Sequence, residues 1–166
     1  GLWKNQRSNI INMTDSEIGV SLSHYRLWKK LLETSDINSM MILEDDATKT
    51  AKNFDLILNN IMLNVPNDWD IILLGFWLHR GIKNDKKINN LIYKVSDFVL
   101  LHCYIINKKG AKKLIDLLPI NMPIDSFISH HSDKINIYRH NYVNNNHSIL
   151  ITQDFKIGQI VHTNNL

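Results

Sequence analysis

Several features that would assign this sequence to a functional class are missing. Its 166 residues include one cysteine, Cys103, so no disulfide framework can form within the chain. The net charge is only +3 and the lysines are scattered, which does not favour nucleic-acid binding. No segment is long and apolar enough to span a bilayer, and the N-terminus lacks a signal-peptide pattern. We therefore expect a cytoplasmic protein, or one in a secretory compartment if an upstream signal is missing.

What the sequence does contain is typical of a globular domain. Hydrophobic residues make up 44% and charged residues 21%, and the length suffices for one domain with a sizeable core. The chain begins with Gly1 rather than Met, so we expect a fragment, a processed chain or a trimmed one.

An apolar run that ends in three consecutive acids is the most informative local feature. Residues 40–46 read MMILEDD, which has the length and composition of a buried strand followed by Glu44, Asp45 and Asp46. Because side chains alternate along a strand, Glu44 and Asp46 are predicted on one side and Asp45 on the other, unless the chain turns there. Carboxylates at a strand end repel one another unless a cation offsets their charge, and Mg²⁺ or Mn²⁺ prefers such oxygen ligands. A solvated acidic loop or a helix N-terminus is the alternative.

Strand and helix patterns alternate along the rest of the chain. Residues 14–17 read TDSE, a capping box that predicts a helix from Thr14 to about residue 33. Apolar runs without alternation, such as residues 69–75, are typical of strands covered on both faces, and Gly75 is predicted to end that strand. Asn107 is predicted to cap a further helix. The pattern predicts an α/β domain with a mostly parallel central sheet flanked by helices.

Five segments, in this order, resemble one known enzyme family. They are EIGVSLSH (17–24) with Trp28 one turn later, ILEDD (42–46), DWDIILLG (68–75), HCYIIN (102–107) followed by GAKKL (110–114), and PID (123–125). The sequence is similar here to glycosyltransferase family 25, which includes lipopolysaccharide and collagen galactosyl-type transferases. The resemblance implies a GT-A-like fold, a UDP-sugar donor carrying galactose or glucose, a hydroxyl acceptor on a glycan or collagen-like protein, and Mn²⁺ (or Mg²⁺) dependence.

The sequence also departs from the family pattern. The family opens with a strand and an arginine-rich turn, and nothing similar precedes Gly19. We therefore expect residues 1–166 to form a single glycosyltransferase domain that is incomplete at its N-terminus.

The acidic segment supplies the predicted metal and donor contacts. A metal that bridges protein carboxylates and the donor diphosphate offsets the charge that develops on the leaving group. Asp46 is the first choice of direct metal ligand, and Glu44 can share the metal. Glu44 and Asp45 are also predicted to contact the metal through water, or the ribose or sugar of the donor.

Three further residues are assigned by the resemblance. Asp125 is the candidate catalytic base of an inverting reaction, although an aspartate there could equally cap the next helix. Ser23 and His24 are predicted to line the donor pocket, although His24 could be a hydrogen-bonded core histidine. The same alternative applies to His102, which could reach the site or bond within the sheet.

Two other classes of function remain open from the sequence. One is a non-catalytic module that binds a nucleotide-sugar or a glycan. The other is a metal-dependent phosphohydrolase, because an acidic strand end also suits metal-assisted hydrolysis.

Overall fold

A computed structural model describes residues 13–78 and 85–153, which form four helices and ten strands. The helices are α1 Asp15–Glu33, α2 Phe54–Asn64, α3 Lys108–Asp116 and α4 Ile124–His130. The longer strands are β1 Ser39–Leu43, β2 Ala47–Thr50, β3 Ile71–Trp77, β6 Val99–Asn107 and β7 Ile137–His140. The short strands are β4 Lys86–Lys87, β5 Ile92–Lys94, β8 Val143–Asn144, β9 His147–Ser148 and β10 Ile151–Gln153. None of the helices in these two ranges has the length and apolarity needed to cross a membrane.

The strands form a mixed sheet of order β1-β6-β3-β7-β5-β4, and β9 extends it by pairing with both β3 and β8. Among the described strands only β3 and β7 pair in parallel, and the other pairs of this sheet are antiparallel. The α/β class and the flanking helices are confirmed, but the expected predominance of parallel pairing is wrong. A continuous apolar run indicates that both faces of a strand are covered, but it does not indicate whether the neighbouring strands are parallel or antiparallel.

Helices cover both faces of this sheet. Along β3, Ile71 and Leu73 belong to the apolar cluster that includes residues of α1, α3 and α4, whereas Ile72 and Leu74 belong to a second cluster with α2. Adjacent residues of one strand therefore enter opposite cores, as the two-residue period of a strand requires. This arrangement explains why residues 71–74 are apolar without alternation.

Local capping chemistry sets the two helix starts that the sequence predicts. The Thr14 hydroxyl accepts the Glu17 N–H at 3.3 Å, and the Glu17 carboxylate accepts the Thr14 N–H at 2.7 Å. The Asn107 side chain accepts the Gly110 N–H at 2.7 Å. Both predictions are confirmed, because each cap depends only on residues three apart.

Gly75 does not end its strand, contrary to expectation. Strand β3 continues to Trp77, with irregular register against β6 on both sides of the glycine. A Cβ atom at Gly75 would lie 2.4 Å from the His102 ring. The missing side chain therefore makes room for that ring against the backbone of the strand.

We predict that acid destabilises the fold through His140. Its ring is fully buried between the Leu74 carbonyl oxygen, 3.2 Å from Nε2, and the Tyr142 N–H, 3.1 Å from Nδ1. Burial lowers the pKa of His140 from 6.5 to about 4. Between these values the unfolded chain binds a proton that the folded protein does not, so the free energy of unfolding falls by about 3 kcal/mol as the pH falls from 6.5 to 4.

Urea unfolding of the wild type and of His140→Gln at pH 7 and pH 4 measures this contribution. The variant is less stable at pH 7, and the difference from the wild type narrows by about 3 kcal/mol at pH 4. His130→Gln, which alters an exposed histidine, serves as the control. A stability difference that stays the same at both pH values would contradict the prediction.

Candidate active site

The three acids lie in a turn rather than on a continuing strand. Strand β1 ends at Leu43, and the Glu44 N–H donates to the His102 carbonyl at 3.0 Å. The Ala47 N–H then donates to the Glu44 carbonyl at 3.2 Å, which closes a turn through Asp45 and Asp46 before β2 begins. The alternation predicted for the triplet therefore does not apply. Asp45 is exposed in the turn, whereas Glu44 and Asp46 are partly buried.

Asp46 is held by a residue from the far end of the chain. Strands β2 and β10 pair, with Ala47 opposite Gln153, and the Gln153 side-chain amide donates to Oδ2 of Asp46. Asp46 Oδ1 and Gln153 Oε1 are both buried without a hydrogen-bond partner among the described residues. Two buried oxygens in this state suit a further donor or a cation, since leaving them bare costs free energy.

Glu44 is contacted by the predicted donor-site histidine. His24 is only 3% exposed, and its Nε2 lies 3.3 Å from Glu44 Oε1. Its Nδ1 lies 2.8 Å from the Tyr104 hydroxyl. His24 is thus a hydrogen-bonded core histidine whose ring also contacts Glu44 of the acidic segment.

Ser23 is not brought together with these residues. Its side chain is exposed, and its hydroxyl donates to the Gly19 carbonyl at 3.0 Å within α1. Consecutive helix residues point about 100° apart, so a buried His24 turns Ser23 away from Glu44.

A cavity of 360 Å³ joins the acidic segment to the candidate base. Glu44 and Asp125 both line it, together with Glu17, Gln153 and Leu100 among others. The described residues around it include three carboxylates and no lysine or arginine. A neighbouring cavity of 290 Å³ shares Leu100 and Gln153 with the first. Volumes of this order are typical of small-molecule sites.

Asp125 holds backbone groups as well as lining the cavity. Its Oδ1 accepts the Ser126 N–H at 2.6 Å, and its Oδ2 accepts the Leu100 N–H at 2.9 Å. It lies in the first turn of α4, where an acid is favourable, but Pro123 rather than Asp125 is the N-cap. Leu100 has φ of 53°, a strained conformation for leucine, and backbone strain of this kind is often found at functional sites.

His102 forms hydrogen bonds to backbone carbonyls of two strands, which agrees with the alternative that it bonds within the sheet rather than reaching the site. Nδ1 lies 2.9 Å from the Leu100 carbonyl, and Nε2 lies 2.9 Å from the Ile151 carbonyl. The ring therefore bridges β6 and β10 along the wall of the smaller cavity. Both nitrogens face carbonyl oxygens, so neither is directed at the acidic segment.

The described residues fit a cation in part. Asp46 Oδ1 and Gln153 Oε1 are hard oxygen ligands of the kind that Mg²⁺ or Mn²⁺ takes. Within residues 13–78 and 85–153, no three or more His, Cys, Asp or Glu side chains converge as a metal-binding group. Any cation here would therefore depend on few protein ligands and on oxygens of its substrate, which is how Mg²⁺ is usually held beside phosphates.

Two residues of this site had no role in the sequence-based prediction. Tyr104 lies in the apolar run of β6, and a buried tyrosine hydroxyl normally requires a partner, which is a usable signal. Gln153 carries no such signal, because its partner Asp46 is distant in sequence and only the pairing of β2 with β10 joins them.

Comparison with known proteins agrees with these features. The sequence profile of glycosyltransferase family 25 (LPS biosynthesis protein) matches residues 2–128. The chain is 30% identical over 124 residues to procollagen galactosyltransferase 1 of Danio rerio, covering 70% of this chain and 20% of that protein. It is 26% identical over 126 residues to the probable inactive glycosyltransferase 25 family member 3 of Bos taurus, covering 70% of this chain and 20% of that one.

A viral protein is similar as well. The immunodominant envelope protein p35 of Fowlpox virus is 29% identical over 118 residues, which cover 66% of this chain and 36% of the viral protein. The chain spans about a fifth of the length of the procollagen galactosyltransferases that it matches. The match extends over the capping-box helix, the acidic turn, the central strands and Asp125. The chain belongs to glycosyltransferase family 25.

Proposed function

We propose that this chain is the catalytic part of a metal-dependent glycosyltransferase that moves a hexose from a UDP-sugar to a hydroxyl acceptor. The observation that carries the proposal is the single cavity lined by both Glu44 and Asp125. A donor-binding carboxylate and a base must flank the anomeric carbon, and one cavity gives them a common space. Galactose is the favoured sugar, because relatives of this chain are named procollagen galactosyltransferases.

The reaction exchanges one bond of the sugar for another. The acceptor hydroxyl oxygen forms a bond to the anomeric carbon while the bond from that carbon to the diphosphate oxygen breaks. UDP leaves with the bonding electron pair, and the hydroxyl proton passes to the Asp125 carboxylate. Attack from the face opposite the leaving group inverts the anomeric carbon. Asp125 is suited to this role because each carboxylate oxygen accepts one backbone N–H and keeps a second lone pair.

The charge of the cavity favours a cation beside the donor. Glu17, Glu44 and Asp125 would repel a diphosphate, and the described lining has no cationic side chain to offset them. A bound Mn²⁺ or Mg²⁺ would supply this positive charge and stabilise the departing diphosphate. Asp46 Oδ1, Gln153 Oε1 and Glu44 are the oxygens we propose to hold it, the first two because they lack other partners in the described part of the chain.

A glycan or a collagen-like protein is the proposed acceptor. The family description names lipopolysaccharide biosynthesis, and two relatives are named for procollagen. Both acceptor classes present a hydroxyl group to the enzyme, so the proposed chemistry is the same for each.

A UDP-release assay tests the proposal. The 166-residue chain is supplied with Mn²⁺, with each of UDP-galactose, UDP-glucose and UDP-N-acetylglucosamine, and with a hydroxylysine peptide or a lipopolysaccharide core glycan. We expect acceptor-dependent UDP release that is highest with UDP-galactose and is lost when EDTA removes the metal. Release that ignores the acceptor or the metal would contradict the proposal.

A non-catalytic module that binds a nucleotide-sugar or a glycan is the second candidate. One argument for it is the similarity to a bovine protein that is named probable inactive. A second is that no three or more His, Cys, Asp or Glu side chains converge among the described residues to bind a catalytic metal. Calorimetric binding of UDP-galactose without acceptor-dependent UDP release would favour this candidate over the enzyme.

A further inference from the structure

Three successive hydrogen bonds connect the hydrophobic core to Glu44. The Trp28 indole N–H donates to the Tyr104 hydroxyl at 2.9 Å, and that hydroxyl lies 2.8 Å from His24 Nδ1. His24 Nε2 lies 3.3 Å from Glu44 Oε1. Trp28 and Tyr104 are fully buried and His24 is 3% exposed, whereas Glu44 lines the 360 Å³ cavity. A buried path of polar groups thus ends at the cavity wall.

The chemistry of the first residues fixes the direction of this path. An indole N–H can only donate, so the Tyr104 oxygen is the acceptor from Trp28. Burial raises the pKa of Tyr104 far above its ordinary value, so its hydroxyl keeps a proton. Among the described residues, His24 Nδ1 is the acceptor within hydrogen-bond distance of this hydroxyl, so we assign the proton to that contact. Nδ1 is then unprotonated, and the ring proton of a neutral His24 lies on Nε2, facing Glu44.

We infer that Tyr104 and His24 form a directed relay, in which Tyr104 sets the tautomer of His24 so that His24 donates to Glu44 and fixes its position in the cavity. His24 and Tyr104 are therefore positioning residues that act through Glu44. The part of this inference that concerns the donor rests on the proposed function, whereas the tautomer does not.

The relay leaves Glu44 with one committed oxygen and one available oxygen. Oε1 accepts from His24, and Oε2 is left to bind the proposed cation or to accept a hydroxyl of the donor ribose or sugar. A carboxylate on a turn has several rotamers, and a buried donor behind it selects one of them. Fixing that rotamer before the donor binds lowers the entropy cost of binding.

Nitrogen-15 NMR of the 166-residue chain tests the relay without any sugar. Long-range proton–nitrogen correlations distinguish protonated from unprotonated ring nitrogens, and the His24 signals are identified by their loss in His24→Gln. We expect His24 to be protonated on Nε2 alone. A ring protonated on Nδ1 would overturn the inference.

Two matched variants separate the relay from general loosening of the core. Tyr104→Phe removes the hydroxyl but keeps the ring that stacks on His24, with centroids 5.6 Å apart. We expect a mixture of His24 tautomers and a UDP-galactose Kd that rises about fivefold, as loss of one net hydrogen bond predicts. Trp28→Phe also removes a bond to Tyr104 but leaves its proton on His24. It should keep the Nε2 tautomer and a Kd within about twofold of wild type.

The outcomes distinguish this inference from the proposed function. If His24 carries the expected tautomer, Tyr104→Phe mixes it and UDP-galactose does not bind the wild type, the relay stands and the proposed function fails. If Tyr104→Phe leaves the tautomer unchanged, or if the two variants weaken donor binding equally, the relay is overturned even in an active enzyme.

Discussion

Replacement of Asp46 by alanine should abolish metal-stimulated sugar transfer while the chain remains folded. Asp46 Oδ1 is buried and without a partner in the described part of the chain, and it is the first choice of metal ligand. Loss of the ligand would remove several kcal/mol of stabilisation from the departing diphosphate, so transfer should fall by about 100-fold or more. UDP release measured across a Mn²⁺ titration, with circular dichroism to verify folding, provides the test.

Two further variants sharpen the Asp46 experiment. Asp46→Asn keeps the shape of the side chain and an acceptor for the Gln153 amide but removes the charge, so it should be nearly as inactive as alanine. Asp36→Ala removes an exposed carboxylate just before β1, the strand that leads into the acidic turn, and should leave transfer unchanged. Full activity of Asp46→Asn would show that the charge of Asp46 is not required for metal-stimulated transfer and would contradict this prediction.

The parts of the fold that depend on neighbouring residues could be predicted from the sequence. The capping box of Thr14 and Glu17 and the cap at Asn107 are set by residues three apart. The unbroken apolar run of β3 correctly predicts a sheet covered on both faces, because its residues alternate between two cores. The resulting α/β arrangement with a mixed sheet is consistent with the GT-A-like fold that the family resemblance implies.

Features that depend on distant residues could not be predicted in the same way. The strand direction beside β3 is set by chain connections rather than by composition. The sequence predicts a strand end at Gly75, because nothing near this residue in the sequence indicates that the His102 ring occupies the space of its missing side chain. A glycine inside a strand can therefore mark the close approach of another group rather than the end of the strand.

The candidate site has some features that depend on neighbouring residues and others that depend on distant ones. Its acids were recognised because three adjacent carboxylates after an apolar run are unusual in themselves. The sequence does not predict the turn at Asp45, because the strand pattern continues to the last apolar residue and does not indicate where the chain bends. Gln153 is 107 residues from Asp46, and only the pairing of β2 with β10 brings it there. The sequence therefore indicates the candidate acids but not their arrangement.

Replacement of Asp125 by asparagine should reduce transfer by about 100-fold or more while UDP-galactose still binds. General-base catalysis contributes roughly 10²–10⁴-fold in enzymes, and an amide cannot take the proton of the acceptor hydroxyl. In the proposed function the acidic turn holds the donor instead, so the Kd for UDP-galactose should change by less than about twofold. Single-turnover transfer and calorimetric donor binding, measured on the same preparation, separate the two effects.

The structural role of Asp125 requires its own control. Its two oxygens accept the N–H groups of Leu100 and Ser126, and an asparagine would turn its amide group towards one of them, at a cost of about 1–3 kcal/mol. Ser129 also joins α4 to this segment, since its hydroxyl accepts the Phe98 N–H at 3.4 Å and donates to the Ser96 carbonyl at 3.2 Å. Ser129→Ala should therefore loosen the same contact without slowing transfer. If both variants lose activity in proportion to their stability, Asp125 holds the segment and is not the base.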